Sequence, residues 1–140
     1  MTYYELNTLV DTTIKNYYGT GTTVQYTEGD IYQLNDKPGN VYPAFNFFLN
    51  QMIQNTSDVV YQVTLFYVDI LNVGHSNTLL IKNDALEVLK IIVANIDNVI
   101  VGDLLSGVTY IPFIEKFTDE CAGAYVQFNL KFPYSTLCVE

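Results

Sequence analysis

Apolar residues along this chain follow two periods, and the longest unbroken run of the shorter one extends from Val59 to Leu71. β-branched and aromatic residues without Gly or Pro predict one long strand there. Successive strand residues point to opposite sides, so Val59, Tyr61, Val63, Leu65 and Tyr67 share one face. Val60, Phe66, Val68 and Ile70 share the other face with Gln62 and Thr64. Both faces are largely apolar, so one is expected to meet helices and the other a different cover. Thirteen extended residues span about 43 Å at roughly 3.3 Å each, whereas a compact domain of this length is on the order of 37 Å across. The strand therefore crosses the whole domain or bends at a bulge, with its ends placed to reach a neighbouring subunit.

The longer period marks two helices. Thr2-Tyr3-Tyr4-Glu5 has the form of a capping box, in which the Thr and Glu side chains satisfy each other's backbone amides. Leu6, Leu9, Val10 and Ile14 then recur at helical spacing, and Gly19 with Gly21 supplies the stop. After the loop Asn72–Asn77, a helix of roughly 18 to 20 residues is expected to bury Ile81, Ala85, Leu89, Ile92, Val93 and Ile96. Glu87 and Lys90 fall on its exposed side.

Shorter alternations fill the rest. Thr22–Tyr26 and Ile31–Leu34 predict a hairpin about Glu28-Gly29-Asp30, followed by a second turn cluster at Asn35–Asn40. Val41, Pro43, Phe45, Phe47 and Leu49 alternate as a strand, with Pro43 at an edge or a strand start. Asn50–Ser57 reads as a loop, and its Asn55-Thr56-Ser57 sequon as fortuitous. Val108–Phe117 predicts a strand broken by Pro112. In Tyr125–Phe132, Val126, Phe128, Leu130 and Phe132 face inward, and Gln127, Asn129 and Lys131 outward. Thr118–Gly123 between them suits a turn with a bulge, with Gly123 in a conformation costly for any residue with a Cβ. These elements sum to a single α+β domain over residues 1–140: a mostly antiparallel sheet of about four strands plus a small hairpin, with an N-terminal helix and one long helix packed on one face.

Composition narrows the function. Six Lys, no Arg and fifteen acids give a net charge of -9. Lys15, Lys37, Lys82, Lys90, Lys116 and Lys131 are well separated, so tight nucleic-acid binding is not expected. No run approaches the roughly 20 apolar residues of a membrane span, and the N-terminus lacks the basic region of a signal peptide. Cys121 and Cys138 form no CxxC and read as free thiols. His75 is the only histidine and reads as a surface loop residue. Gly19-Thr20-Gly21 follows a helix and lacks the third glycine of a phosphate loop. Spacing supports no catalytic set, no metal ligands and no cofactor site.

The C-terminal pattern Phe113-x-x-x-Phe117-x-Asp119-x-x-Ala122-Gly123-x-x-x-x-Phe128-x-Leu130-x-x-Pro133 resembles the end of small structural proteins from tailed phages of Bacteroidetes hosts, including crAss-like phages. Tyr42-Pro43-x-Phe45, Asp69-Ile70-Leu71 and Asn77-x-x-x-Ile81 resemble their upstream part, so the likeness spans roughly residues 40 to 133. The element order is similar to the tail-terminator and neck fold. Lys116 stands where members often carry Arg, and Ala124 where they carry an aromatic. The resemblance implies a non-enzymatic virion protein, made in the bacterial host cytoplasm, that forms a homo-oligomeric ring at the head-tail junction. Other neck, portal or tail proteins would be its partners, and DNA would pass through its channel. Phe113, Phe117, Asp119, Ala122 and Gly123 are then candidates for the oligomer interface or for a fold motif. The alternatives are a small-molecule-binding protein or enzyme using the second apolar face of the sheet, and an acidic mimic of DNA.

Overall fold

The computed structural model describes residues 2–19, 21–31, 39–100, 105–116 and 119–133, with the backbone alone at residues 73, 105, 115 and 116. Helix α1 (Tyr3–Tyr18) starts at the expected capping box: Glu5 N–H donates to Thr2 Oγ1 at 3.1 Å, and Thr2 N–H to Glu5 Oε1 at 2.9 Å. It stops at Gly19, whose φ of 82° suits only glycine and whose N–H closes on Lys15 O. Leu6, Val10 and Ile14 are buried, with Leu9 half-buried beside them.

Helix α2 (Thr78–Val99) buries all six residues its period assigned inward. Glu87 and Lys90 pair across its outer side at 3.0 Å. The residues that lead into it are pinned by amides: Asn72 N–H donates to Asn77 Oδ1, and Asn77 Nδ2 donates back to Ile70 O.

Among the described residues, five strands form one mixed sheet in the order β1-β2-β3-β5-β4: β1 (Gln25–Glu28), β2 (Ala44–Gln54), β3 (Asp58–Ile70), β4 (Leu105–Lys116) and β5 (Glu120–Pro133). The long apolar strand β3 lies at the centre, antiparallel to β2 and β5. Its odd-numbered residues from Val59 to Tyr67 are buried under the helices, level with Val126, Phe128, Leu130 and Phe132 of β5. Two helices on one face of a mixed sheet make this an α+β fold.

Several expectations change. Among the described residues no hairpin forms at Glu28–Asp30; β1 pairs in parallel with β2, Gln25 opposite Ala44 and Glu28 opposite Phe47. Gly29, at φ 113°, turns the chain away from the sheet plane; its N–H donates to Phe47 O and its carbonyl accepts from Asn46 Nδ2. Most of Ile31–Leu34 and of Asn35–Asn40 lies outside the described residues.

β2 runs on through Asn50 to Gln54, where a loop was expected. Its polar residues there are solvent-exposed and cross-linked to β3: Thr64 Oγ1 donates to Asn50 Oδ1 at 2.7 Å, and Gln51 bonds Gln62. The true turn is Asn55–Ser57, closed by Asn55 Nδ2 on Asp58 Oδ1. Pro43 sits just before the strand start, after a cis peptide bond.

Pro112 does not break β4, because an edge strand tolerates a residue without an N–H. Glu120–Gly123 belongs to β5 rather than to a bulged turn. The irregularities fall instead at Leu49/Gln51 in β2 and at Ser106/Thr109 in β4, where Gly107 has φ 62°. Gly123 itself is not in the left-handed region. Its need for glycine has another source: an added Cβ would stand 1.9 Å from Tyr67 O on β3.

Candidate functional site

Among the described residues, no helix covers the second face of the sheet. Strand alternation puts Phe48, Gln51 and Ile53 of β2, the even-numbered residues of β3, and Tyr125, Gln127 and Asn129 of β5 on that side. One end of the face is aromatic. Phe66, Phe113 and Tyr125 form a trio with ring centroids 5.0 to 6.2 Å apart. They border a small buried cluster of Ala44, Val68 and Cys121, against which Ile31 and Tyr42 pack. The other end is amide-rich, with Asn50, Gln62, Thr109, Gln127 and Asn129 lining a shallow cleft. The ion pair of Lys131 with Asp58, at 3.3 Å, lies at the rim. Such a surface suits apolar contact and neutral hydrogen bonding rather than the capture of ions.

The motif residues separate in space. Asp119 accepts a hydrogen bond from Tyr42 OH at 2.8 Å, which ties the turn before β5 to the segment before β2. Gly123 lies opposite Phe113 and Val68, at the aromatic end of the open face. Ala122 points the other way, into the core under the helices. Phe117 lies outside the described residues. The Tyr42–Asp119 bond gives the distant Tyr42-Pro43 and Asp119 motifs a shared structural role that spacing along the chain does not reveal.

Potentially reactive side chains are held in structural roles. Cys121 is fully buried, and that burial pushes its thiol up to about 11, so it stays protonated at neutral pH. His75 is exposed and its Nε2 meets Glu120 Oε2 at 2.5 Å, joining the loop before α2 to the start of β5. Among the described residues, no three His, Cys, Asp or Glu side chains gather closely enough to hold a metal ion. No helix among them is long and apolar enough to cross a membrane.

At the end of the helix-covered face, Asp69 lies near Asp84, Tyr18 and Tyr67. Burial raises its carboxyl above the ordinary value and Asp84 adds to the rise, while the Ile70 N–H opposes it. A carboxyl raised on folding binds its proton more tightly in the native state. Its contribution to stability therefore falls as pH climbs from the unfolded value through the folded one, and the deficit is complete above both. Asp69→Asn is expected to raise the melting temperature at pH 7, with the gain shrinking as acidification passes through the raised carboxyl value and gone once pH falls below the ordinary carboxylate range. A variant less stable at pH 7, or one whose gain persists undiminished in acid, would contradict this account.

The sequence matches no protein-family model, and comparison with curated proteins finds no significant match.

Proposed function

We propose that this chain is a structural virion subunit, forming a ring at the neck or tail top of a tailed phage and leaving a channel for DNA. The observation that carries the reading is the open face of the sheet: an apolar and amide-rich surface with its ion pair at the rim, suited to cover by other protein chains. Two features support it. The motif residues that resemble tail-terminator and neck proteins build the β4–β5 end of that face through Phe113, Asp119 and Gly123. A chain with net charge -9 and no Arg lets a polyanion pass without gripping it.

The test is location. Mass spectrometry and electron microscopy of purified particles should find the chain in the virion, on the head-tail axis. Duplex DNA should show no affinity at physiological salt, because each phosphate contact draws its free energy from counterion release by a cation, and the cations here are few and dispersed. Absence from the particle, a position off the axis, or tight duplex binding would each refute the proposal.

A further inference from the structure

The two edges of the sheet are built differently. β4 carries Pro112, which has no N–H to offer a neighbour, and a bulge at Gly107. At the other edge β1 covers only Ala44–Phe47 of β2. From Phe48 to Ile53, no described strand pairs with β2 on the side away from β3. This bare stretch holds no proline and no charge, and the sequence has no charged residue between Lys37 and Asp58. Phe48, Met52 and Ile53 are 37%, 54% and 38% exposed. Chains that function alone blunt such an edge with Lys, Pro or a covering element; among the described residues this edge has the Leu49/Gln51 bulge and a hydrogen bond between Tyr3 and the Leu49 backbone.

We infer that the Phe48–Ile53 edge is a pairing surface for a second copy of this chain, joined antiparallel across a two-fold axis into one continuous sheet. Charge favours a second copy meeting here. Two chains of net charge -9 repel each other, and a two-fold axis sets a patch against itself, so an uncharged patch meets its twin without like charges in contact. Topology favours the antiparallel arrangement. The bare stretch is a notch about 20 Å long at roughly 3.4 Å per residue, bounded at its start by the end of β1. When two notches fill each other, the β1 of each copy lies beyond the Asn55–Ser57 turn of the other. The two short strands then bound the paired segment at both ends and fix its register. The contact does not rest on the virion reading and exists in the purified chain.

Sedimentation of the full chain over a concentration series tests it, with Met52→Lys to place like charges across the axis and Ile114→Lys on the β4 edge as a control. The wild type should dimerise reversibly. Met52→Lys should weaken the dimer by roughly tenfold or more, and Ile114→Lys should leave it unchanged. Amide exchange in the wild type should slow at Phe48–Ile53 as concentration rises, a readout that stands even where a variant folds poorly. A wild type that stays monomeric with unprotected edge amides overturns the inference. So does a dimer that Met52→Lys leaves intact or Ile114→Lys breaks.

Discussion

Gly123→Ala should cost about 3 kcal/mol or more of folding stability, at the upper end of what overpacking a close-packed interior costs. The added Cβ would meet Tyr67 O at 1.9 Å and Val68 Cα at 3.2 Å. Both are backbone atoms of the central strand, so no side-chain rotation relieves the contact. Relief requires β3 and β5 to separate, and these strands pair without interruption from Asp58/Pro133 to Ile70/Cys121. Val68 and Cys121 beside the site belong to the small buried cluster of the open face, so separation would also loosen that packing. Gly123→Val, with two more methyl groups, should be worse still. Gly19→Ala is the control for handedness without crowding: its φ is 82° with nothing within 4 Å of the added Cβ, so its cost should stay near 1 kcal/mol, at the low end of the range for such backbone strain. Urea unfolding of the three variants gives the comparison. A Gly123→Ala loss under about 1 kcal/mol, within the ordinary range for single substitutions, would show that the strands yield.

The same glycine marks the limit of what the sequence disclosed. That Gly123 matters is legible from its place in a motif, but the expected cause is a turn conformation costly for a residue with a Cβ, and the cause observed is the approach of Tyr67 O on a strand far earlier in the chain. Local signals did well. The Thr2–Glu5 box, the Gly19 stop and the inner stripe of α2 are each written within a few residues, and the faces of β3 and β5 follow from alternation alone. Non-local choices were not legible. Nothing in Gln25–Glu28 distinguishes parallel pairing with β2 from a hairpin, because the partners that hold it lie elsewhere in the chain: Asn46, whose buried side chain accepts from Thr27 Oγ1 while donating to Gly29 O, is one of them. The extension of β2 is hidden in the sequence because a polar run fits a loop as well as an exposed strand. Asn50 and Gln51 are polar because the edge they occupy is exposed, not because the strand has ended. In the candidate site, the aromatic trio draws one residue from each of β3, β4 and β5, so only the sheet register assembles it.

Phe45→Ala should destabilise the protein by about 3 to 5 kcal/mol, the range for emptying an aromatic site in a core. Phe45 is 1% exposed and lies where α1 meets the sheet. Its ring meets Tyr67 edge-on at 5.3 Å and Tyr18 at 5.9 Å, so truncation removes two favourable aromatic contacts as well as buried area. The cavity cannot close easily. Tyr67 is fixed on the central strand, and Tyr18 is in the last turn of α1, which Leu6, Val10 and Ile14 hold against the same core. Phe48 sits three residues along the same strand, on the open face and 37% exposed, so Phe48→Ala should cost under about 1 kcal/mol in the isolated chain, as partly exposed sites do. The contrast separates the two faces by function. The residue under the helices holds the fold, whereas the one at the bare edge should matter when a second chain covers it. Chemical denaturation of both variants at low protein concentration measures the folding terms, and repeating it at high concentration should penalise Phe48→Ala further. Equal losses for the two residues at low concentration would mean that the second face is already packed within one chain, leaving no surface there for a partner to cover.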